Sequence, residues 1–420
     1  MARKSAPSDL PRTGLSAHTE NVPSTVAARP SWWPHFTSTV RSTALTARLG
    51  RALGIAFAIC FLTGLLSYAQ YLSWPWLPKP VVPAWGYRLT QGVHVTTGLA
   101  CLPLVMVKLW SVYPTTFRWP PVRSVRRGLE ILSAVILVAA VLVQLVTGFL
   151  NLLDWRPFRW DFVVVHYALA YVVIGSLLIH IAIKLPDIRY GLGTKLAEGD
   201  VLSEVPWDEN PDSHSNAGPL PPPVTPGISR RGVLVAAGTG IGLIVITTVG
   251  QSIRPLEPLG LLAIRQPSKG WQGVPVSETA AEAGVVEAAQ DPAWQLEIVG
   301  PNPYVLGLAD LDALATAEAH LPVAANKGWS VAADWRGIPL PELVERAGGG
   351  PGSRVLVRSL DRTGIKSSQI WGSQLAQALL ATHLNGERLA LDHGYPLRLI
   401  APNRAELFCT KWLTRIEVLS

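Results

Sequence analysis

Two pairs of ionisable residues, each fourteen positions apart, carry the strongest chemical signal in this chain. His94 and Lys108 lie in one apolar run, and His166 and His180 lie in another. Fourteen residues of α-helix make just under four turns and advance about 21 Å, so the members of a pair face one side of a helix near its opposite ends. Imidazole is a common ligand of haem iron, and an unprotonated amine can also bind iron. Two such helices side by side are therefore predicted to hold one or two haems.

The composition predicts that these helices cross a membrane. The chain has 420 residues, of which 49% are hydrophobic, and about 20 apolar residues suffice to cross the hydrocarbon layer. The first 48 residues are polar and rich in Pro, Ser and Thr, which predicts a disordered cytoplasmic tail without a cleavable signal peptide. The predicted spans are residues 49–71, 92–111, 129–152, 162–184 and 233–250.

The charge distribution predicts the topology. Residues 251–420 hold 15 Lys/Arg and 17 Asp/Glu, and the rest of the chain holds 21 and 12. The basic excess thus belongs to the membrane part and gives no reason to expect nucleic acid as a partner. Basic residues concentrate in the N-terminal tail and in the loops after spans two and four, the second of which is the Pro-rich linker 185–228. Because positive loops stay inside, we expect a cell-membrane protein with a cytoplasmic N-terminus and an extracytoplasmic C-terminal domain.

The two pairs match in depth as well as in spacing. Spans two and four run in the same direction, so His94 and His166 lie near the outer surface, whereas Lys108 and His180 lie near the inner surface. The alternatives are interfacial histidines and a lysine that snorkels to the cytoplasmic side. The pattern resembles the di-haem cytochrome b membrane domains over residues 49–184. That resemblance implies a four-helix bundle with haem b, although a histidine is more usual where this chain has Lys108.

Arg230 and Arg231 precede the fifth span. They are either simple cytoplasmic anchors or part of a twin-arginine-type signal that serves as a membrane anchor over residues 229–250. The second interpretation suits a domain that is folded around a cofactor before it is exported.

Beyond a tether at residues 251–293, the pattern changes to short strands that alternate with helices. This indicates a mixed α/β domain at residues 294–420, large enough for its own core. The predicted strands are 295–299, 355–359, 397–400 and 415–419, and the predicted helices are 308–319, 340–347 and 373–381.

Five sequence blocks in this domain follow one another in a characteristic order. Together they resemble the molybdopterin-binding domain of the sulfite-oxidase fold. The resemblance implies a molybdopterin cofactor bound by Ser359, His393, Arg398 and Lys411, with the two cations as charge-assisted donors to its phosphate. A pair of surface charges is the alternative for Arg398 and Lys411. The blocks are residues 328–330, 335–340, 385–387, 393–402 and 411–418.

One position departs from the resemblance. The family has a metal-binding cysteine three residues before the Gly-Trp pair, and here that position is Ala325. A methyl group cannot coordinate molybdenum, and Cys409, beside Lys411, is not expected to replace the missing thiolate. Either the cofactor is held by its dithiolene and pterin contacts alone, or the domain has lost metal chemistry.

These features leave three hypotheses. The first is a membrane oxidoreductase in which an outward molybdopterin-type site exchanges electrons through b-type haem with the quinone pool or a redox partner protein. The second is a non-catalytic relative of that domain attached to a haem-bearing carrier, and the third is a membrane protein without haem. The sequence leaves open whether the protein is an enzyme and which small-molecule substrate it would use.

Overall fold

The computed structural model describes residues 40–116, 122–196, 228–249 and 253–419, with short gaps at 73, 75, 123, 156, 159, 264 and 362–366. Most of the predicted N-terminal tail, part of the basic loop after the second span and most of the Pro-rich linker lie outside the described residues.

Within the described residues, five helices are long and apolar enough to cross a membrane, which confirms the expected number of spans. Polar caps begin several of them: Ser42 accepts a hydrogen bond from the backbone N–H of Leu45, and Asp161 accepts from Val163 and Val164. The helices are α1 (Thr43–Tyr68), α2 (Gly86–Thr116), α3 (Val125–Leu153), α4 (Phe162–Gly193) and α5 (Arg230–Val249).

The first four helices pack as a bundle. Helix α1 contacts α2 and α4, and α3 contacts the same two helices, so α2 and α4 lie diagonally across the bundle rather than side by side. Buried apolar residues of α2, α3 and α4, including Val105, Val141 and Val173, form its core. Helix α5 packs outside this bundle, against α2. The two helices with the paired ionisable residues therefore face each other across the bundle interior.

The C-terminal unit is the expected mixed α/β domain, and it contains two five-stranded sheets. In the first sheet the order is β2-β1-β10-β5-β6, and β1 and β10 are parallel neighbours. In the second the order is β3-β4-β7-β8, and β9 also pairs with β7. The strands are β1 (Gln295–Val299), β2 (Tyr304–Gly307), β3 (Ala317–Ala324), β4 (Ser330–Pro339), β5 (Arg354–Ser359), β6 (Ser367–Trp371), β7 (Leu379–Leu384), β8 (Glu387–Arg388), β9 (Arg398–Ile400) and β10 (Leu413–Leu419). The helices are α6 (Val286–Gln290), α7 (Leu308–Leu314), α8 (Leu340–Arg346) and α9 (Gly372–Ala376).

Two helix predictions were wrong in their second halves. The segment predicted as helix 308–319 is α7 followed by the start of β3, and the segment predicted as helix 373–381 is α9 followed by the start of β7. Alanine-rich sequence favours a helix locally. Pairing along the full length of β3 with β4 overrides that preference, since cross-strand packing decides strand formation.

The C-terminal domain, called the outer domain below after the orientation that the sequence predicts, rests directly on the ends of the long helices. The side-chain amide of Asn403 donates to the carbonyl of Pro80 over 2.6 Å, and its oxygen accepts from the backbone N–H of Tyr87. A Cβ on Gly86 would lie 2.9 Å from the Asn403 side-chain oxygen, so only glycine fits at this approach. Asp154, at the end of α3, pairs with Lys327 over 2.5 Å and with Arg265 over 2.9 Å. These contacts hold the two units in one fixed arrangement.

Candidate functional site

The imidazoles of His94 on α2 and His166 on α4 face each other inside the bundle. Their ring centroids are 6.0 Å apart, and their planes are nearly perpendicular, at 84°. Two metal–nitrogen bonds of about 2 Å each, plus two ring half-widths of about 1 Å each, give roughly 6 Å between two imidazoles on opposite sides of one metal ion. The separation is therefore compatible with two imidazoles that would hold one haem iron between them.

The outer nitrogens of both rings are held by hydrogen bonds. The Nδ1 atom of His94 lies 2.8 Å from the Cys60 carbonyl, and Nδ1 of His166 lies 3.0 Å from the hydroxyl of Thr147. That hydroxyl donates to α3 backbone carbonyls, so its oxygen is left to accept. Both histidines thus carry their proton on Nδ1, which leaves each Nε2 lone pair available to a metal. A second hydrogen bond of this kind is typical of metal-binding histidine.

Two glycines leave space beside these rings. A Cβ on Gly64 of α1 would lie 2.9 Å from the His94 ring, and a Cβ on Gly148 of α3 would lie 3.2 Å from the His166 ring. Neither distance leaves normal van der Waals room. The two glycines therefore let α1 and α3 approach the imidazole rings closely, and the residues of this outer tier are compatible with a haem between the two rings.

The inner pair is less well arranged. The Nζ atom of Lys108 donates to the backbone carbonyl of Thr46 over 2.8 Å. Nδ1 of His180 is buried without a hydrogen-bond partner among the described residues, and no hydrogen bond joins the two side chains. Whether Lys108 and His180 hold a second haem stays a prediction. In the described part of the chain no group of three or more His, Cys, Asp or Glu residues is arranged to hold a metal ion.

The four residues predicted to bind molybdopterin come together in the outer domain. The hydroxyl of Ser359 donates to the carbonyl of Lys411 over 2.7 Å. The ammonium of Lys411 donates to the carbonyl of Asp392 over 3.1 Å, next to His393. The guanidinium of Arg398 is buried, pairs with Glu406 over 3.1 Å and also contacts the His393 carbonyl. Gly394 makes this possible, because its φ is +108° and a Cβ there would lie 3.0 Å from Lys411.

A chain segment that sequence reasoning treated as a tether covers these residues. The carbonyl of Trp271 accepts a 2.7 Å hydrogen bond from His393, and the carbonyl of Glu278 accepts one from Lys411. Between them Val274 is fully buried in the same apolar cluster as Ala325 and Trp329. Residues 271–278, termed the strap below, thus line the site. The only signal for the strap in the sequence was an apolar residue, Val274, within a stretch that contains prolines.

Burial tunes the site for an anionic or neutral polar ligand. Burial, reinforced by Arg398, lowers the pKa of His393 to about 4, so its imidazole is neutral and its Nε2–H faces Trp271. Burial lowers the pKa of Lys411 to about 8. Three buried polar atoms of this region lack partners among the described residues: Nε of Arg398, Nε1 of Trp329 and Oγ of Ser277. Unsatisfied buried donors are costly, and the phosphate and pterin heteroatoms of molybdopterin would satisfy them, so these residues fit the organic part of that cofactor.

The expected metal-ligand position does not fit a metal. Ala325 is buried, and its backbone N–H and carbonyl are used within the turn at Gly328 and Trp329. The thiol of Cys409 belongs to the same apolar cluster, but burial raises its pKa, so it stays protonated. No thiolate is therefore offered to molybdenum by the described residues of this cluster.

Acidification should destabilise the outer domain through His393. Its pKa is about 4 in the folded protein, below the ordinary value of 6.5, so the unfolded chain takes up a proton first as the pH falls. The stabilisation is complete above pH 6.5 and is lost between pH 6.5 and 4, by about 3 kcal/mol in total. The free energies of unfolding of the wild type and of His393→Gln, whose side chain keeps a donor toward Trp271, should therefore converge at low pH. Parallel pH profiles for the two proteins would contradict this prediction.

The turn at the expected metal-ligand position also contacts the membrane helices. The carbonyl of Asn326 accepts hydrogen bonds from Gln91 on α2 and Asn151 on α3, over 3.4 and 3.1 Å. Its side-chain amide donates to the hydroxyl of Tyr71 over 3.0 Å. Gln91 lies one helical turn before His94. The outer-domain site and the outer imidazole pair are thus joined by a short path of packed protein, which the sequence alone did not indicate.

The fold and site define a class of protein in which five helices long and apolar enough to cross a membrane carry a mixed α/β domain with buried cations. The family model of the oxidoreductase molybdopterin binding domain matches residues 283–420, so this segment is similar to molybdopterin-binding oxidoreductase domains. The match begins eleven residues before residue 294, where the sequence predicted the domain to begin. Its first residues belong to the segment, predicted as a tether, that packs on this domain.

Two curated proteins are similar to parts of the chain. The uncharacterized oxidoreductase YuiH of Bacillus subtilis (strain 168) is 26% identical over 127 residues, which is 30% of this chain and 64% of the relative. Nitrate reductase (NADPH) of Mycosarcoma maydis is 58% identical over 40 residues, which is 10% of this chain and 4% of that protein. The chain thus spans less than two thirds of either relative. Among solved structures, the sulfane dehydrogenase SoxCD of Paracoccus pantotrophus aligns with 30% of this chain and 38% of its own, with 21% identity and a TM-score of 0.28.

Proposed function

We propose that this protein is a membrane-bound oxidoreductase whose extracytoplasmic molybdopterin-type site exchanges electrons with the quinone pool or respiratory chain through b-type haem. The observation that carries the proposal is the hydrogen bond from Gln91, one helical turn from His94, to the carbonyl of Asn326. This contact gives the outer-domain site a route to the imidazole pair within a single chain. In this proposal the five spans put the N-terminus in the cytoplasm, and Arg230 and Arg231 begin a twin-arginine-type anchor.

The residues have separate tasks in this proposal. His94 and His166 would hold the haem between α2 and α4, and their Nδ1 hydrogen bonds would fix the ring orientations. Arg398 and Lys411 would hold the anionic end of molybdopterin, while the strap excludes water from that end. Haem supplies a one-electron carrier and the molybdenum cofactor supplies two-electron chemistry; the protein supplies position, burial and electrostatics.

A second function is favoured by Ala325. Without a thiolate at this position, the outer domain could serve as a binding or assembly module on a haem-bearing electron carrier. The closed arrangement of the strap over His393 and Lys411 agrees with such a module. The two functions differ in metal content, since a module needs no molybdenum.

Quantification of haem, pterin and molybdenum on the intact protein, extracted in mild detergent from a host that makes all three, tests the proposal. We expect one or two b-type haems and about one pterin per chain. Less than a tenth of an equivalent of haem would refute the electron route. Full haem and pterin with less than a tenth of an equivalent of molybdenum would favour the binding module over the enzyme.

A further inference from the structure

A cavity of about 180 Å³ lies at the seam between the membrane unit and the outer domain, away from the residues assigned to haem and molybdopterin. It is bounded on one side by the segment that follows α1 and on the other by β5, β6 and the loop after β9. Clefts that take drug-sized molecules measure roughly 300–1,000 Å³, so this cavity suits a smaller ligand. The polar residues at its wall are Gln70, Lys79, Ser367, Ser368, Gln369 and Arg404.

Two cations, one from each unit, meet at this cavity. Lys79 donates to the backbone carbonyl of Gln70 over 3.0 Å, and its ammonium lies 4.6 Å from the ring centroid of Trp371. Arg404 is buried, and its guanidinium donates to the carbonyls of Phe408 and Gln369 and to the side-chain amide oxygen of Gln374. All these acceptors are neutral, and the described residues that line the cavity include no carboxylate.

The two positive charges are therefore uncompensated at the wall. Burial, together with the charge of Arg404, lowers the pKa of Lys79 to about 8. A buried cation without a counter-charge is destabilising. Arg404 is buried, and the partly buried Lys79 faces the same cavity from the other unit. An anion between Lys79 and Arg404 would remove this cost and would link the membrane unit to the outer domain.

The other wall groups narrow the chemistry of the anion. The side-chain oxygen of Gln70 is buried and has no hydrogen-bond partner among the described residues. It can accept from a protonated ligand oxygen or, with the amide turned over, present its NH₂ group. A ligand with both acceptor oxygens and an O–H satisfies Gln70 and the two cations together. A phosphate group carries such oxygens in its partly protonated form.

We propose that this cavity is a binding site for a small tetrahedral oxoanion of the phosphate type, and that its occupation stabilises the docking of the outer domain on the membrane unit. Free oxoanions in the outer compartment offer this chemistry. The phosphodiester of a lipid headgroup at the membrane surface offers the same acceptor oxygens to the two cations, with the Gln70 amide turned over to donate its NH₂ group. The site shares no side chain with the proposed haem or molybdopterin residues, so it is independent of the proposed function.

Binding of inorganic phosphate to the full-length protein in phosphatidylcholine nanodiscs tests the proposal, with chloride at matched ionic strength as the reference. We expect saturable binding of about one phosphate per chain and a rise in the unfolding temperature. Lys79→Gln should weaken phosphate binding at least tenfold, and Lys79→Arg should retain it. Lys269→Gln, at an exposed lysine away from the cavity, should bind like the wild type.

A second arm identifies the source of the anion. If phosphate binds equally well in phosphatidylcholine and phosphatidylglycerol nanodiscs, the site takes a free oxoanion. If phosphatidylglycerol weakens phosphate binding at least tenfold in the wild type, a lipid headgroup competes for the site. Absence of saturable binding in phosphatidylcholine, or equal binding by the wild type and Lys79→Gln, would overturn the proposal. Dependence on Lys79 separates this site from any phosphate bound near Lys411.

Discussion

Replacement of His166 by alanine should remove the outer haem from the purified protein. The imidazoles of His94 and His166 are 6.0 Å apart, with both Nδ1 atoms held by hydrogen bonds. Loss of one axial ligand leaves the iron bound from a single side in a bundle that was shaped for two. We expect less than a tenth of the outer-tier haem in His166→Ala, measured as pyridine haemochrome and as the reduced-minus-oxidised difference spectrum.

Controls separate ligand loss from general damage. His320→Ala changes an exposed histidine of the outer domain, and its haem content should equal that of the wild type. Lys108→Ala should leave the outer haem in place and lower only an inner one. Full haem retention in His166→Ala would show that this imidazole does not bind iron.

A matched pair of glycine variants tests the space beside the ring without removing a ligand. Gly64→Ala would place a Cβ 2.9 Å from the His94 ring, whereas a Cβ at Gly54 of the same helix meets no atom within 4 Å. If the outer tier is built around a haem, Gly64→Ala should lower haem content or shift its spectrum, and Gly54→Ala should do neither. Identical spectra for the two variants would argue against close packing at His94.

The spacing of residues along the chain predicted the helices well, because the fixed rise of an α-helix converts distance in the sequence into depth in the membrane. Five helices long and apolar enough to span agree with the five predicted ones, and the structure places the rings of His94 and His166 6.0 Å apart. The diagonal placement of α2 and α4 was not predicted, because the sequence does not specify which helices of a bundle become neighbours. The helix ends also differ: α4 continues to Gly193, beyond the predicted end at residue 184, and Pro186 is accommodated within it.

The outer site was predicted by residue type but not by partner. Ser359, His393, Arg398 and Lys411 do come together, yet Arg398 is paired with Glu406 and two of the others are bonded to the strap. Ion pairs and backbone carbonyl contacts have no local signature, since they depend on how distant strands are arranged. For the same reason no sequence pattern predicted that Asn326 contacts the membrane helices or that Lys79 lies near Arg404.

Replacement of Ala325 by cysteine should restore a metal ligand to the outer domain. Ala325 is 1% exposed and lies among Val274, Trp329 and Cys409, in the apolar cluster that adjoins Arg398 through Trp335. A thiolate is a strong ligand for a soft or intermediate metal, and the remaining site already offers donors for the pterin. We expect Ala325→Cys to retain at least tenfold more molybdenum per pterin than the wild type, measured by elemental analysis after purification.

The control for this substitution is Ala333→Cys. Ala333 is a similarly buried alanine of the same cluster, so a sulfur there imposes a comparable packing change, of about 1–3 kcal/mol, away from the ligand position. Its molybdenum content should match that of the wild type. Because the strap fills the space beside Ala325 with Val274, a gain of molybdenum in Ala325→Cys requires the strap to yield to the new metal–sulfur bond. Equal molybdenum in Ala325→Cys and the wild type, with pterin bound in both, would mean that the strap and not the missing cysteine keeps the metal out.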